Sequence, residues 1–588
     1  MTNRMIQSGK LKHLGGIILT VVFFLYLFVV YDANFPGPDE PIYLSYTASI
    51  VQDGDFNVIN HTDPRYPFNL PSGKLGISKS YNLPDFHAHG GVTLWAPFYA
   101  YAKLVYYVAD KLCLNGIVGY GVDRLARCAM SFSTVLFSFL TLLLTYRFSR
   151  IFFSKYVSIF SVLTVFIGTP FFYFTIQETG NANIVASLFS VISIWMCVYV
   201  INKKSAYWFL YGLFFSICLV AKVDIWFQLF FLLILFVYLV ILKKVQWFNG
   251  ISFLLGLIPV AALKIINDYI KYGTFHVGEV GSLNFNDNYL IELLFSSYRG
   301  FLYTSPIFYF CLLGFILAGV NLFKGLRSAK NNNNINTLKM NDLFLVILAS
   351  CLFIKVFVFS YNYAWGGGTC GARILLTEFP IFVLLLARVL RGQKKYVLYI
   401  FGTISVLFVL WNLLVVSEFI TRLDFSYISR TPGLMARIKA ISDIFASVLF
   451  QIRDLEIKLK SALPLFLFFS ITVIWIMKRW KTPVSPSFWY IKNGSWCNLN
   501  KFFIIFTGYL CLIYLFFTIS NIYNNRIKVE RLKAQGFFSN VEILSSNEFE
   551  KRENIGAMNE MIEFYTLKGN MKKVARIQKH KIKTYPTL

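Results

Sequence analysis

Uncharged apolar runs of membrane-crossing length recur along this chain from residue 14 to residue 520. The first, residues 14–31, carries no Asp, Glu, Lys or Arg. At 1.5 Å per residue such a helix covers roughly 27 Å, close to the thickness of a bilayer's hydrocarbon core. With 56% hydrophobic, 18% aromatic and only 14% charged residues, the chain falls outside the range of soluble domains and reads as a polytopic membrane protein. Arg4, Lys10 and Lys12 precede the first run as they would in a signal peptide. The run is longer than an h-region, however, and no Ala-x-Ala-like site follows it, so it reads as a retained anchor.

The formal charge of +27 does not point to nucleic acid, because the Lys and Arg residues are scattered among short loops. That pattern is topology-setting charge. The nine cysteines show no C-x-x-C spacing and lie mostly inside apolar runs. They read as small core residues, with Cys113 and Cys370 the candidates for a disulfide.

Residues 92–109 could cross the membrane or lie on it, and parity decides between the two. If the segment lies flat, the cytoplasmic connections hold Arg147/Arg150/Lys155, Lys203/Lys204, Lys243/Lys244, Lys324/Arg327/Lys330/Lys339, Arg388/Arg391/Lys394/Lys395 and Lys478/Arg479/Lys481. The short opposite loops are then nearly free of Lys and Arg, as the positive-inside rule requires. The spans expected are 13–31, 125–146, 155–175, 182–201, 207–223, 225–242, 250–267, 306–323, 342–360, 374–390, 396–416, 462–478 and 501–520. This is an all-α membrane protein of about thirteen transmembrane helices, N-terminus in the cytoplasm and C-terminus outside, with a transmembrane domain over 1–520 and a helical tail over 521–588. Three external regions, 32–124, 268–305 and 417–461, are longer than simple turns; the third reads as an interfacial helix or lid.

Candidate chemistry gathers on these external regions. Asp39 and Glu40 follow the first span, and Ile42, Tyr43, Tyr46 and Ile50 continue at helical spacing until Gly54, which predicts an interfacial helix with the acidic pair at its head. Capping is the plain role for Asp39, and it is compatible with catalysis because a cap also fixes the carboxylate in place. Glu178 sits in a nearly uncharged membrane-edge turn, where an isolated carboxylate calls for a partner or a role. Arg373 follows a glycine-rich stretch, Gly366-Gly-Gly-Thr-Cys-Gly-Ala, and Arg299 stands beside Tyr298 and Tyr303. Arginine grips phosphate bidentately and glycines allow close approach, so these two are the donor-phosphate candidates, with membrane-edge anchoring as the simpler role. His87 and His89, at alternate positions, could share a face toward phosphate or metal, or be polar loop residues.

One order of features carries a resemblance. A first span is followed by Asp39-Glu-Pro-x-Tyr-Leu-x-x-x-Ala-Ser-Ile-x-x-Asp-Gly-Asp, then Trp95-Ala-Pro-Phe-Tyr, then Asp123-Arg-Leu-Ala-Arg opening the second span. Over residues 12–150 this resembles the GT-C superfamily of glycosyltransferases, which includes protein O-mannosyltransferases, aminoarabinose transferases and oligosaccharyltransferases. The resemblance implies a GT-C-type bundle, a polyprenyl-phosphate-linked sugar donor, a glycan, lipid or protein acceptor, and a place in the inner membrane. It also implies an active-site role for Asp39, matching the acidic residue of the family's first external loop, where the acid activates the acceptor or organises a divalent cation such as Mg or Mn. The chain departs from the family where His87-Ala-His-Gly-Gly-Val replaces the usual Lys-Pro-Pro-Leu, and the metal stays open between a cation and none.

The rivals are a lipid-linked oligosaccharide polymerase or ligase, and a transporter or flippase. The first would keep its key arginines in a large late loop, and the second would show internal repeats or charged, broken helices at the midplane. No Walker A motif is present and no Gly-x-Gly-x-x-Gly follows a strand, which excludes an obvious ATPase and weakens a soluble nucleotide-sugar enzyme.

Overall fold

The computed structural model describes residues 2–33, 40–61, 75–77, 89–201, 203–222, 225–272, 288–296, 299–329, 337–361, 373–421, 454–479, 497–535, 541–543, 558–559, 562, 566 and 571–584. Its helices in chain order are α1 (Thr2–Val30), α2 (Glu40–Gln52), α3 (Val92–Lys111), α4 (Asn115–Val118), α5 (Gly121–Ser149), α6 (Lys155–Ile167), α7 (Phe171–Ile176), α8 (Ala182–Val200), α9 (Ser205–Ala221), α10 (Trp226–Ile241) and α11 (Trp247–Tyr272). There follow α12 (Leu290–Phe295), α13 (Phe301–Thr304), α14 (Phe308–Ala329), α15 (Thr337–Phe359), α16 (Phe379–Leu390), α17 (Lys395–Thr421), α18 (Leu455–Ser461), α19 (Leu463–Arg479), α20 (Cys497–Ala534) and α21 (Met571–Thr584). Two three-residue strands, β1 (Leu75–Ile77) and β2 (Val541–Ile543), pair in parallel with Leu75 opposite Val541.

Every expected span carries a helix, but the expected thirteen are not all of crossing length. Among the described residues six helices are long and apolar enough to cross a membrane: Gly121–Ser149, Ala182–Val200, Trp247–Lys271, Asn341–Phe359, Lys395–Ser417 and Ile504–Ala534. Leu455–Ser461 and Leu463–Trp475, bent by 66°, make a seventh if counted together. Proline accounts for two of the shortfalls. The expected 155–175 span breaks at Gly168-Thr169-Pro170 into α6 and α7, because proline lacks the N–H that would continue the ladder and disfavours a helical residue before it. The expected 374–390 span opens instead as a 3-10 helix, Arg373–Glu378, with Pro380 starting the α-helix proper.

Several of these helices, and several shorter ones, show apolar faces to the outside, whereas α8 is buried along its whole length. On α10, Trp226, Phe230, Leu233, Val237 and Ile241 form an exposed stripe, while Gln228, Phe231, Leu232, Leu235 and Leu239 face inward. A helix apolar on both faces has lipid as its outer solvent, which gives the chain the character of a helical membrane protein. Inside, α9 and α11 lie backbone to backbone where Gly212 meets Gly256. A Cβ on Gly212 would come 2.1 Å from the carbonyl oxygen of Phe253, the close approach that small residues permit between membrane helices.

Contacts between connections gather in two groups. At one end, the loop end, the Asp32 amide donates to the Ile176 carbonyl at 2.6 Å, the Tyr289 amide to Ser360 at 2.7 Å, and the Phe56 amide to the Asn521 side chain at 2.9 Å. Lys460 reaches the Gly116 carbonyl at 3.2 Å, and Arg124 lies 3.6 Å from Asp454. At the other, basic end, Arg388 pairs with Asp342 at 2.7 Å and the Ser205 hydroxyl donates to Asn249 at 2.7 Å. Residues 92–109 form most of α3, which is not among the helices of crossing length. Both of its ends meet the loop end, through Gly90 against the Val220–Ala221 backbone and through the 112–120 turn against α18.

Two other expectations shift. The helix headed by Glu40 forms and stops at Gln52, with Gly54 at φ +74°. It is buried on nearly every side, Ser45, Thr47 and Ser49 included, rather than floating with one wet face. Past residue 520, α20 continues unbroken to Ala534. The cysteines Cys128, Cys197, Cys218, Cys311 and Cys351 are buried thiols, and Cys113 is free and exposed; Cys370 lies outside the described residues.

Candidate functional site

The acidic side is built where α1 ends. Asp39 lies outside the described residues, and Glu40 is the first residue of α2, fully buried. Glu178, 1% exposed, sits in the turn between α7 and α8, where Asn181 caps α8 by accepting from the Asn183 amide at 3.0 Å. The same Asn181 donates to the Glu178 carboxylate at 3.3 Å. This turn is fastened to a residue that sequence reasoning passed over, Asp32. Gln177 donates to its carboxylate at 3.0 Å, and the Thr179 hydroxyl donates to its carbonyl at 2.7 Å. The available signal was position, since Asp32 is the first charge after the first apolar run.

Lys458 completes this corner and was also missed. Its side chain is fully buried and its ammonium donates to the carbonyls of Val29, at 3.0 Å, and Tyr31, with the charge 4.3 Å from the Tyr31 ring centre. The last carbonyls of a helix lack intrahelical partners and carry its negative dipole end, which a cation satisfies. The result pins α18, from the third expected external region, onto the residues beside Asp32.

The arginine side lies next to it. Arg299, 5% exposed, stands just before α13, and Arg373, half-buried, opens the 3-10 helix. Phe301 and Leu375, each two residues from its arginine, line the same small cavity of about 10 Å³ together with Thr169, Pro170 and Phe379. From Phe171 the six residues of α7 lead to Gln177 and Glu178, a distance of about 9 Å along the helix. The fold therefore brings the segments of Glu178, Arg299 and Arg373 into one neighbourhood. His87 lies outside the described residues; His89 begins a 3-10 helix, His89–Gly91, whose Gly90 packs on Ala221. Among the described residues no group of three or more His, Cys, Asp or Glu could hold a metal ion.

A third cluster ties the tail to the first loop. Lys528 of α20 contacts Asp53 at 2.7 Å, Asp55 at 3.1 Å and the Asn57 carbonyl at 2.5 Å. Asn57 donates to Asn525 at 3.0 Å, and His61 meets Asp53 at 2.7 Å. Burial pushes the Asp55 carboxyl above its usual range, against the pull of Lys528 and the Ser49 hydroxyl. With β1–β2 pairing and the Lys573–Glu292 contact, the tail is bound to both early external regions. No protein-family model matches this chain, and no curated protein or solved structure matches it.

Proposed function

We propose that this chain is a membrane glycosyltransferase of GT-C type that moves a sugar from a polyprenyl-phosphate carrier to an acceptor on the extracytoplasmic side. The observation that carries the reading is the loop end itself, where buried Asp32, Glu40 and Glu178 and two arginine-bearing segments gather at the edge of an apolar bundle. Buried charge is costly at a membrane edge, so its concentration at one end argues for chemistry there. In the proposed reaction the acceptor oxygen attacks the anomeric carbon as the bond from that carbon to the phosphate oxygen breaks. Asp39 takes the acceptor's proton, Glu40 and Glu178 hold the acceptor side, and Arg373 and Arg299 stabilise the departing polyprenyl phosphate. The same reading places thirteen spans across the inner membrane, with the N-terminus in the cytoplasm and the loop end, tail included, outside; the unmixed contacts of the two ends support that parity.

The test is transfer of radiolabel from a polyprenyl-phosphate sugar to membrane extract by purified protein. Loss of transfer in both Asp39→Asn and Arg373→Ala is expected. Transfer that survives both sinks the site assignment. Substrate transport into vesicles that Asp39→Ala leaves intact would replace the transferase reading with a transporter.

A further inference from the structure

We infer that the buried pair Lys355–Glu378 is the positioning element for Arg373, fixing the short helix that presents it. This inference rests on the reading of Arg373 as a donor-phosphate ligand.

The pair lies inside the bundle, with the Lys355 side chain 0% and the Glu378 side chain 2% exposed. The Lys355 ammonium donates to the Thr377 hydroxyl oxygen at 2.5 Å and to the Glu378 carboxylate at 3.3 Å, and the Thr377 hydroxyl donates to the same carboxylate oxygen at 3.2 Å. Packing does not call for these charges. A buried ion pair is often no better for stability than apolar side chains of similar volume, so its presence needs another account.

Its placement supplies one. Thr377 and Glu378 are the last two residues of the 3-10 helix that Arg373 begins. Six residues is long for a 3-10 helix, whose hydrogen bonds are poorly aligned and which seldom runs beyond three or four. Pro380 follows, so the next turn cannot reinforce it with a full ladder. The helix is therefore held from outside: the Ser187 hydroxyl donates to the Leu376 carbonyl at 2.8 Å, and Lys355 fastens its far end to α15. Removing the ion pair frees that end and lets the Arg373 end drift relative to α8 and α13. Displacement of a binding group by about 1 Å is enough to cost up to a hundredfold.

The test uses the full-length protein in lipid nanodiscs and labelled polyprenyl monophosphate as the probe, so no transfer reaction is needed. The variants are Lys355→Met/Glu378→Met, Glu378→Gln, Arg373→Ala, and the double replacement combined with Arg373→Ala. The double replacement is expected to keep wild-type thermal unfolding, bind the probe about ten- to a hundredfold more weakly, and show faster amide exchange over residues 373–378. In the Arg373→Ala background it is expected to weaken binding no further, since the pair acts through that arginine. Glu378→Gln, which keeps a hydrogen-bond acceptor, gives a smaller loss of the same kind and serves if the double variant does not fold. Wild-type affinity and exchange in both pair variants overturn the inference, as does an equal loss in the Arg373→Ala background. Failure of the wild-type protein to bind the probe overturns the phosphate reading of Arg373 itself, and this inference with it.

Discussion

The two ends of the bundle use charge in opposite ways. At the basic end Lys155, Lys204, Lys243, Lys244, Lys394 and Lys395 are exposed, and the buried pair Arg388–Asp342 ties α16 to α15. At the loop end Asp32, Glu40, Glu178, Asp55, Arg299, Lys458 and Lys528 are all buried. Exposed cations orient a chain during insertion and need no particular partner. Buried ones stay charged only inside specific hydrogen-bonded arrangements, so each of them fixes a piece of backbone.

That contrast can be broken by mutation. The largest effects belong to the acidic pair: under the transferase reading Asp39→Asn lowers transfer by about two to four decades, measured with labelled donor. Next comes the tail clamp, where Lys528→Met leaves Asp55 buried beside Asp53 without its cation. A loss of about 3–5 kcal/mol is expected, read by thermal unfolding in detergent, with Asp55→Asn in the same chain recovering part of it. A glycine contact sets the scale without any charge: Gly212→Ala drives a methyl into α11 and costs about 1–3 kcal/mol. The smallest effect is at the basic end, where Lys243→Gln with Lys244→Gln changes stability by no more than about 0.5 kcal/mol.

Acidity sharpens the same comparison. The carboxyl of Asp55 is raised in the folded chain, so the native state holds its proton at pH values where the unfolded chain has released it. Stability from this group is present below the unfolded value and falls as pH rises through the folded one. Unfolding midpoints followed upward through the carboxylate range should show that decline, and Asp55→Asn should flatten it. Removing a basic-end lysine should leave the slope unchanged.

The apolar runs were legible because lipid-facing and buried positions are both hydrophobic, leaving an unbroken signal. The α2 period was legible too, and Ile42, Tyr43, Tyr46 and Ile50 are all buried. Helix breaks were harder: at Thr169-Pro170 and at Pro380 a continuous apolar stretch conceals a change of backbone geometry. Within the site, Glu40, Glu178, Arg299 and Arg373 stood out as charges at the ends of spans. Asp32, Lys458, Lys528 and Lys355 did not, because their meaning lies in partners brought together by folding. Lys528 is more than four hundred residues from Asp55, and Lys458 equally far from Val29. No local pattern records such a meeting. Asp39 and His87 lie outside the described residues, so the head of α2 is the part of the site on which mutation bears most directly.

The unbroken α20 has a further consequence. Its 38 residues make a rod of about 57 Å, against a hydrocarbon layer of about 30 Å. A rod longer than the barrier sets a height, and the asparagines and Lys528 near its far end grip the first loop at that level. The stand-off of the tail above the lipid is thus written in residue count. Four residues added between Ser520 and Ala534 would lift whatever lies beyond the insertion by about 6 Å and turn it by about 40°, taking it out of register with the first loop.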